Sequence, residues 1–187
     1  MLSWRPMTVD DIPGLMLVAD EVHPELPESD HVFAERVKLF PEGCLALVDH
    51  GDDNDGHDAG GEPKKLYGYV VSHPIRRRQP PALDSLLGGI SEDADQYYIH
   101  DFAIFPGFRG RGLAVLCLDK LLVIAERFPS ACLVSVYGTS PFWGSFGFAS
   151  PASIEHALQV KVQGYGDDAT YLERQTKKSY GGTNVDP

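Results

Sequence analysis

The 187 residues carry 27 acidic side chains against 16 basic ones, a net charge of −11 with histidines neutral. So acidic a surface repels nucleic-acid phosphate and attracts cations, so a small cationic amine fits better than DNA or RNA, and no nucleic-acid partner is expected. With 43% hydrophobic residues and no apolar run of membrane-spanning length, the chain reads as one α/β domain over 1–175, with no membrane partner expected.

Cys44, Cys117 and Cys132 lie in apolar runs without metal-ligand spacing. They read as buried reduced thiols, and no metal is expected. The N-terminus turns polar at once, so the expectation is a cytoplasmic protein, monomer or homodimer.

Leu2 to Met7 predicts a first strand. Thr8, Asp10 and Asp11 cap a helix whose Ile12, Leu15, Met16, Val18 and Ala19 share one face. Two prolines in His23–Glu28 rule out regular structure there. A second helix, capped at Ser29 or Asp30, runs to about Phe40 with Val32, Phe33, Val37 and Phe40 inward, and Pro41-Glu42-Gly43 stops it. Cys44–Val48 and Leu66–Ser72 predict a strand pair. The stretch 49–65 between them is dense in Asp and Gly and is expected to be a mobile acidic loop. Its Asp52, Asp53, Asp55, His57 and Asp58 lack the ligand spacing of a calcium loop.

Residues 73–96 form a long excursion. Its Arg76-Arg77-Arg78 run either steers an anionic ligand or is a solvated loop edge. Tyr97–Phe105 is rich in aromatic and β-branched residues and stops at Pro106-Gly107, as a strand does. A turn with two glycines and two arginines follows, and from Gly112 the sequence LAVLCLDKLLVIAERF predicts a mostly buried helix. Such a turn aims free backbone N–H groups, at the positive end of a helix dipole, at one point. That point suits a phosphate, with Arg109 and Arg111 adding charge. Further on, Ala131–Tyr137 predicts a strand, and Ser140 caps a short helix through Phe146 with Pro141 first. Strands are expected at His156–Gln163 and Ala169–Gln175, which makes about seven in all. The stretch 176–187 is an expected disordered tail.

Arg109-Gly110-Arg111-Gly112-Leu113-Ala114 resembles Q/R-x-x-G-x-G/A, the acetyl-CoA pyrophosphate loop of the GNAT superfamily of N-acetyltransferases. Residues 140–148, SPFWGSFGF, resemble the family's late x-x-F-Y-x-x-x-G-F element, with Trp143 at the tyrosine position. The resemblance implies a GNAT fold: a mixed, twisted sheet flanked by helices and split at its central strands to hold acetyl-CoA, the co-substrate. It implies acetyl transfer to a primary amine by direct attack in a ternary complex. Two alternatives stand beside that: acetylation of a protein N-terminus or lysine, and a non-catalytic acyl-CoA sensor.

An alkylamine must lose its proton before it attacks, and a histidine is an effective base near neutrality. Strand alternation groups Tyr98, His100, Phe102 and Ile104 on one face, with Asp101 on the other. His100 sits where many GNAT enzymes, as the resemblance implies, hold the glutamate or histidine that deprotonates the amine; in offering histidine there the chain is similar to arylalkylamine N-acetyltransferases. The other reading of His100 is a core histidine. By the same resemblance the backbone of Phe102, Ala103 and Ile104 would bind the pantetheine arm, and Arg109 to Ala114 the pyrophosphate. Trp143 can donate a hydrogen bond but cannot supply a proton, so the acid is open, with Tyr137 and Tyr98 the nearest candidates. Phe142 and Trp143 either pack against the co-substrate or are core aromatics. His23, Glu25, Glu28 and Tyr98 are candidates for the acceptor side.

Overall fold

The computed structural model describes residues 1–50 and 63–176; most of the acidic loop 49–65 and all but the first residue of the tail 176–187 lie outside the described residues. In chain order the elements are β1 (Leu2–Pro6), α1 (Ile12–Val22), α2 (Asp30–Leu39), β2 (Leu45–Asp49), β3 (Gly68–Ile75), β4 (Gln96–Ile104), α3 (Leu113–Ala125), β5 (Ser130–Ser135), α4 (Ser140–Gly144), α5 (His156–Gln163) and β6 (Thr170–Gln175). Six strands form one mixed sheet in the order β1-β2-β3-β4-β5-β6. The β4–β5 pair is parallel, while β1–β2, β2–β3 and β5–β6 are antiparallel. The chain divides into two compact units, Met1–Ser72 with Asp101–Leu121, and His73–His100 with the chain from Leu122 onward.

In the first unit the predicted apolar stripe of α1 is buried. Ile12, Leu15, Val18 and Ala19 join Phe33 and Val37 of α2, Ala46 and Val48 of β2, Tyr69 and Val71 of β3, and Ala103 of β4. Leu15, Val18 and Phe33 are almost wholly out of water, and each such side chain stabilises the unit by about 1.5–3 kcal/mol. The entry to α1 is pinned electrostatically. Buried Asp11 accepts the Thr8 N–H at 2.8 Å and both ends of the Arg5 guanidinium at 2.8 Å. Burial alone would raise the Asp11 pKa, but Arg5 and the Thr8 N–H outweigh it and hold the carboxyl below its usual range. Gly68 is required by a close approach, since a Cβ there would lie 2.6 Å from the Ala103 carbonyl oxygen.

The second unit has its own core, Ile75, Tyr98, Cys132, Leu158, Val162 and Tyr171. A polar network borders it. Arg78 grips Glu173 through Nε at 2.8 Å and Nη2 at 3.1 Å, and its backbone N–H donates to Gln96 Oε1 at 2.8 Å. The Tyr171 hydroxyl donates at 3.1 Å to Gln96 Oε1 and to Glu173 Oε1, and Gln96 Nε2 donates to Ser130 Oγ at 3.0 Å. Desolvation pushes the Glu173 pKa up, but Arg78 overrides it and the net shift is downward.

Two sequence expectations are corrected. Residues 156–163 form helix α5, not a strand, which leaves six strands among the described residues instead of about seven. Leu158 and Val162 are buried four residues apart and Val160 is exposed, the period of a helix. Secondly, α4 is capped by Thr139, not Ser140, so Pro141 is its second residue, and the α-helix ends at Gly144 rather than Phe146. In addition, β3 runs past Ser72 through His73 and Pro74 to Ile75.

Candidate active site

The turn after β4 presents its main chain to solvent. Gly110 and Gly112 adopt φ of +74° and +75°, with no atom within 4 Å of where a Cβ would stand. Those angles suit glycine and are strained for other residues. Among the described residues, no backbone–backbone bond outside helices and strands uses the N–H of Gly110, Arg111 or Gly112 as donor. Three successive N–H groups next to the start of α3, whose first residues are Leu113 and Ala114, make an anion cradle.

The turn is braced from several directions. Arg109 Nε donates to the Ile104 carbonyl at 2.8 Å, which ties the turn to the end of β4. Arg111 Nη2 donates to the Gly107 carbonyl at 2.9 Å, and its guanidinium lies 5.1 Å from the Phe108 ring centroid. Trp4, buried on β1, donates its indole N–H to the Leu113 carbonyl at 2.7 Å and lies 6.0 Å from the Phe102 ring. Both arginines remain exposed.

The ladder between β4 and β5 covers only Gln96↔Ser130 to Ile99↔Leu133, although β4 continues through His100 to Ile104. Five residues of β4, including Phe102, Ala103 and Ile104, thus extend past the last paired residue. Ala103 and Ile104 are buried and Phe102 half-buried.

His100, 9% exposed, belongs to the second unit. Its ring lies 5.6 Å from His73 and 5.7 Å from Tyr98, with His73 and Tyr98 also 5.6 Å apart. His73 is fully buried, with Nδ1 3.1 Å from the Pro74 carbonyl. Sequence reasoning missed His73, because Pro74 ended the predicted strand before it. Tyr98 is 1% exposed, inside the core, which separates it from the exposed candidate acid Tyr137. Tyr137 takes φ +54° beside Gly138, immediately beyond β5. Trp143 is 7% exposed with its ring 5.8 Å from Phe148, whereas neighbouring Phe142 is 36% exposed. Trp143 is thus packed among aromatic rings, and Phe142 offers the more accessible surface.

Asp101, next to His100 in sequence, anchors a cluster in the first unit. Tyr69 donates its hydroxyl to Asp101 Oδ2 at 2.5 Å, and His23 Nε2 lies 3.1 Å from Oδ1. Burial would lower the His23 pKa, but the Asp101 charge and hydrogen bond prevail and raise it. The Tyr69 hydroxyl is pushed well above its usual pKa, first by burial and then by Asp101, Glu28 and Asp20. Of the three acceptor-side candidates in the α1–α2 connection, His23 is thus engaged with β4, Glu28 is buried and Glu25 is exposed. No spacing pattern links residues so far apart, and only the fold brings His23, Tyr69 and Asp101 together.

Two members of the Arg76–Arg78 run are engaged by structure. Arg76 bonds Ser91 Oγ and the Asp93 carboxylate at 3.0 Å, and Arg78 is held by Glu173. Arg77 is exposed. All three cysteines are free and buried, and desolvation raises their thiol pKa values, that of Cys44 to about 12. Among the described residues no His, Cys, Asp or Glu cluster could hold a metal, and no helix is long and apolar enough to cross a membrane.

The profile of the Acetyltransferase (GNAT) family matches residues 16–141. The chain belongs to the GNAT acetyltransferase family. Solved GNAT structures share the fold at low identity. The ribosomal-protein-S18-alanine N-acetyltransferase of Escherichia coli is 14% identical with a TM-score of 0.61, and each chain is covered completely. Chaetomium thermophilum Naa20, solved with a bisubstrate analogue, is 12% identical at 0.65, with 98% of this chain and 92% of that one covered. GphF, a GNAT-like decarboxylase in complex with isobutyryl-CoA, is 14% identical at 0.64, with 92% and 98% covered. A search of curated protein sequences finds no match. Family membership makes acetyl-CoA the expected donor, and the open glycine cradle with two exposed arginines fits its pyrophosphate.

Proposed function

We propose that this GNAT protein is an N-acetyltransferase that moves the acetyl group of acetyl-CoA to a primary amine, a small cationic one, by direct attack in a ternary complex. The observation that carries the reading is the turn Arg109–Gly112: its consecutive N–H groups lie open beside α3, and two exposed guanidiniums flank them. Bound there, acetyl-CoA supplies an activated acyl thioester. The chain's own groups do the rest. Gly110, Arg111 and Gly112 neutralise the pyrophosphate through main-chain N–H donors, and the α3 dipole adds to them. The N–H groups of Phe102, Ala103 and Ile104, beyond the β4–β5 ladder, supply donors for the pantetheine amides and the thioester oxygen.

His100 takes the proton of the ammonium, through solvent where the amine is out of direct reach. Tyr137, whose exposed phenol can donate, returns a proton to the departing thiolate; Trp143 lacks a transferable one. On the acceptor side Glu25 and Glu28 add negative charge, and that of buried Glu28 acts on Tyr69, the partner of Asp101. No thiol attacks, since the cysteines are buried and held protonated.

Acceptance of a peptide N-terminus is the second reading. It is favoured by the likeness to the ribosomal-protein-S18-alanine N-acetyltransferase. Thiol release from acetyl-CoA, measured with arylalkylamines, polyamines, amino acids and short peptides, separates the readings. Turnover confined to small amines, with His100→Ala losing most of the rate at pH 7 while binding CoA normally, supports the first. Turnover confined to peptides replaces it with the second. Binding of CoA with no acetylated product in any class would leave a sensor.

A further inference from the structure

One cavity of the second unit has no part in the mechanism above. It is an open groove of about 690 Å³ between the chain after β3, the chain after α4 and the end of β6. That is the size of a small-molecule pocket, roughly 300–1,000 Å³. Its charged lining residues are Arg77, Arg78, Glu173 and Arg174, a surplus of two positive charges in a chain of net charge −11. Arg78 and Glu173 neutralise each other, since Nε and Nη2 of Arg78 hold the carboxylate at 2.8 and 3.1 Å. The surplus therefore sits on Arg77 and Arg174. Among the described residues, neither of these guanidiniums forms an ion pair.

Both arginines are held in place before any ligand arrives. Arg174 Nη1 donates to the Phe146 carbonyl at 2.9 Å, the one hydrogen bond of that guanidinium among the described residues. The rest of its N–H donors stay open to a ligand. Arg77 is anchored through the main chain. Its N–H donates to Asp95 Oδ1 at 2.7 Å, and the next N–H, of Arg78, donates to Gln96 Oε1 at 2.8 Å. Arg78 is held at φ +59°, left-handed backbone that a non-glycine residue keeps only where its surroundings fix it. On this fixed backbone the Arg77 side chain is exposed, with no hydrogen bond among the described residues. Ser150 and Gln175 also line the groove, are exposed, and add neutral donors.

We propose that this groove binds a small dianionic molecule, a phosphate ester or a dicarboxylate, whose negative charge is shared between Arg77 and Arg174. A guanidinium fork matches the oxygens of a phosphate or a carboxylate two at a time. Two such forks on one groove select a dianion over a monoanion or a neutral molecule, because each charge-assisted contact corresponds to roughly tenfold or more in affinity. The Arg78–Glu173 pair fixes the walls and takes no part in binding. The inference does not rest on the acetyl-CoA reading, since the groove belongs to the second unit and the Arg109–Gly112 turn to the first.

NMR titration of the ¹⁵N-labelled whole protein with inorganic phosphate and with succinate tests it, at a pH about one unit or more above the second phosphate pKa of about 6. In wild type the main-chain N–H signals of Gly147, Ser150 and Gln175 should move with saturation, and the anion that binds tighter names the group the ligand carries. Sodium chloride at equal ionic strength should leave those signals in place. Arg77→Gln and Arg174→Gln should each weaken the binding about tenfold. Arg76→Gln, whose guanidinium is paired with Asp93, should bind like wild type. Should Arg174→Gln unfold for want of its Phe146 bond, Arg77→Gln, a change at an exposed side chain, decides alone. Signals that stay fixed with both anions overturn the proposal, as do shifts confined to Gly110–Gly112. A loss in Arg76→Gln as large as in Arg77→Gln overturns it too, since a diffuse field and not a site would then be at work.

Discussion

Two arginine-bearing stretches of this chain look alike as sequence and differ as structure. Arg76, Arg77 and Arg78 follow β3, and Arg109 and Arg111 follow β4. In the first stretch Arg76 is spent on Asp93 and Arg78 on Glu173 and Glu155. In the second, among the described residues, the Arg109 and Arg111 guanidiniums bond to backbone carbonyls, of Ile104 and Gly107, and keep their formal charge uncompensated by those bonds. The backbones differ in the same sense. The Arg78 N–H is taken by Gln96, whereas the turn at Gly110–Gly112 holds its N–H groups open. Positive charge marks a binding site only where no carboxylate has already claimed it.

That contrast can be broken first at the glycines. Gly112→Val places a β-branched residue at φ +75° and a side chain over the cradle, and CoA affinity should fall roughly 10–100-fold through strain and lost approach. The same strain costs the fold about 1–3 kcal/mol, so thermal unfolding should show a lowered melting temperature, with no clash to add to it because no atom lies within 4 Å of the new Cβ. Arg78→Ala should act on stability alone. It removes the partner of an almost buried Glu173, costs about 3 kcal/mol and lowers the melting temperature by roughly 5–10 °C, with CoA affinity unchanged.

Linked titrations sharpen the comparison with a smaller effect. The Glu173 pKa is lowered in the fold, so its contribution is present above its unfolded value near 4.5 and vanishes as pH falls through the folded one. The His23 pKa is raised, so its contribution is complete below about 6.5 and is lost as pH rises through the folded value. Stability measured by denaturant between pH 5 and 9 should therefore decline on the alkaline side, and His23→Gln should flatten that decline. An unchanged profile would show that the Asp101–His23 pair contributes nothing. The smallest effect is expected at Arg76→Ala: its pair with Asp93 is exposed on both sides, and the change should fall within roughly 0.5 kcal/mol.

The strand, turn and helix around Arg109 were legible because local chemistry dictates them: an aromatic and β-branched run, a Pro-Gly stop, then a long apolar helix. The α5 segment HALQVKVQ was not, because Val160 and Val162 alternate with polar residues as a strand would, and only two of its side chains are core anchors. His73 was hidden by Pro74, which β3 tolerates. The Tyr69–Asp101–His23 cluster joins positions up to 78 residues apart in sequence, and it exists only through the packing of α1 with β3 and β4 in the first unit. Trp143 could be placed in α4, but its choice between core and ligand depended on burial, which sequence does not carry.

Titration of wild type, Gly112→Val and an Arg76→Gln/Arg77→Gln double variant with CoA tests the assignment of the Arg109–Gly112 turn most directly. Wild type and the double variant should bind alike, with Gly112→Val at least tenfold weaker. Equal binding by Gly112→Val, or a larger loss in the double variant, would contradict it.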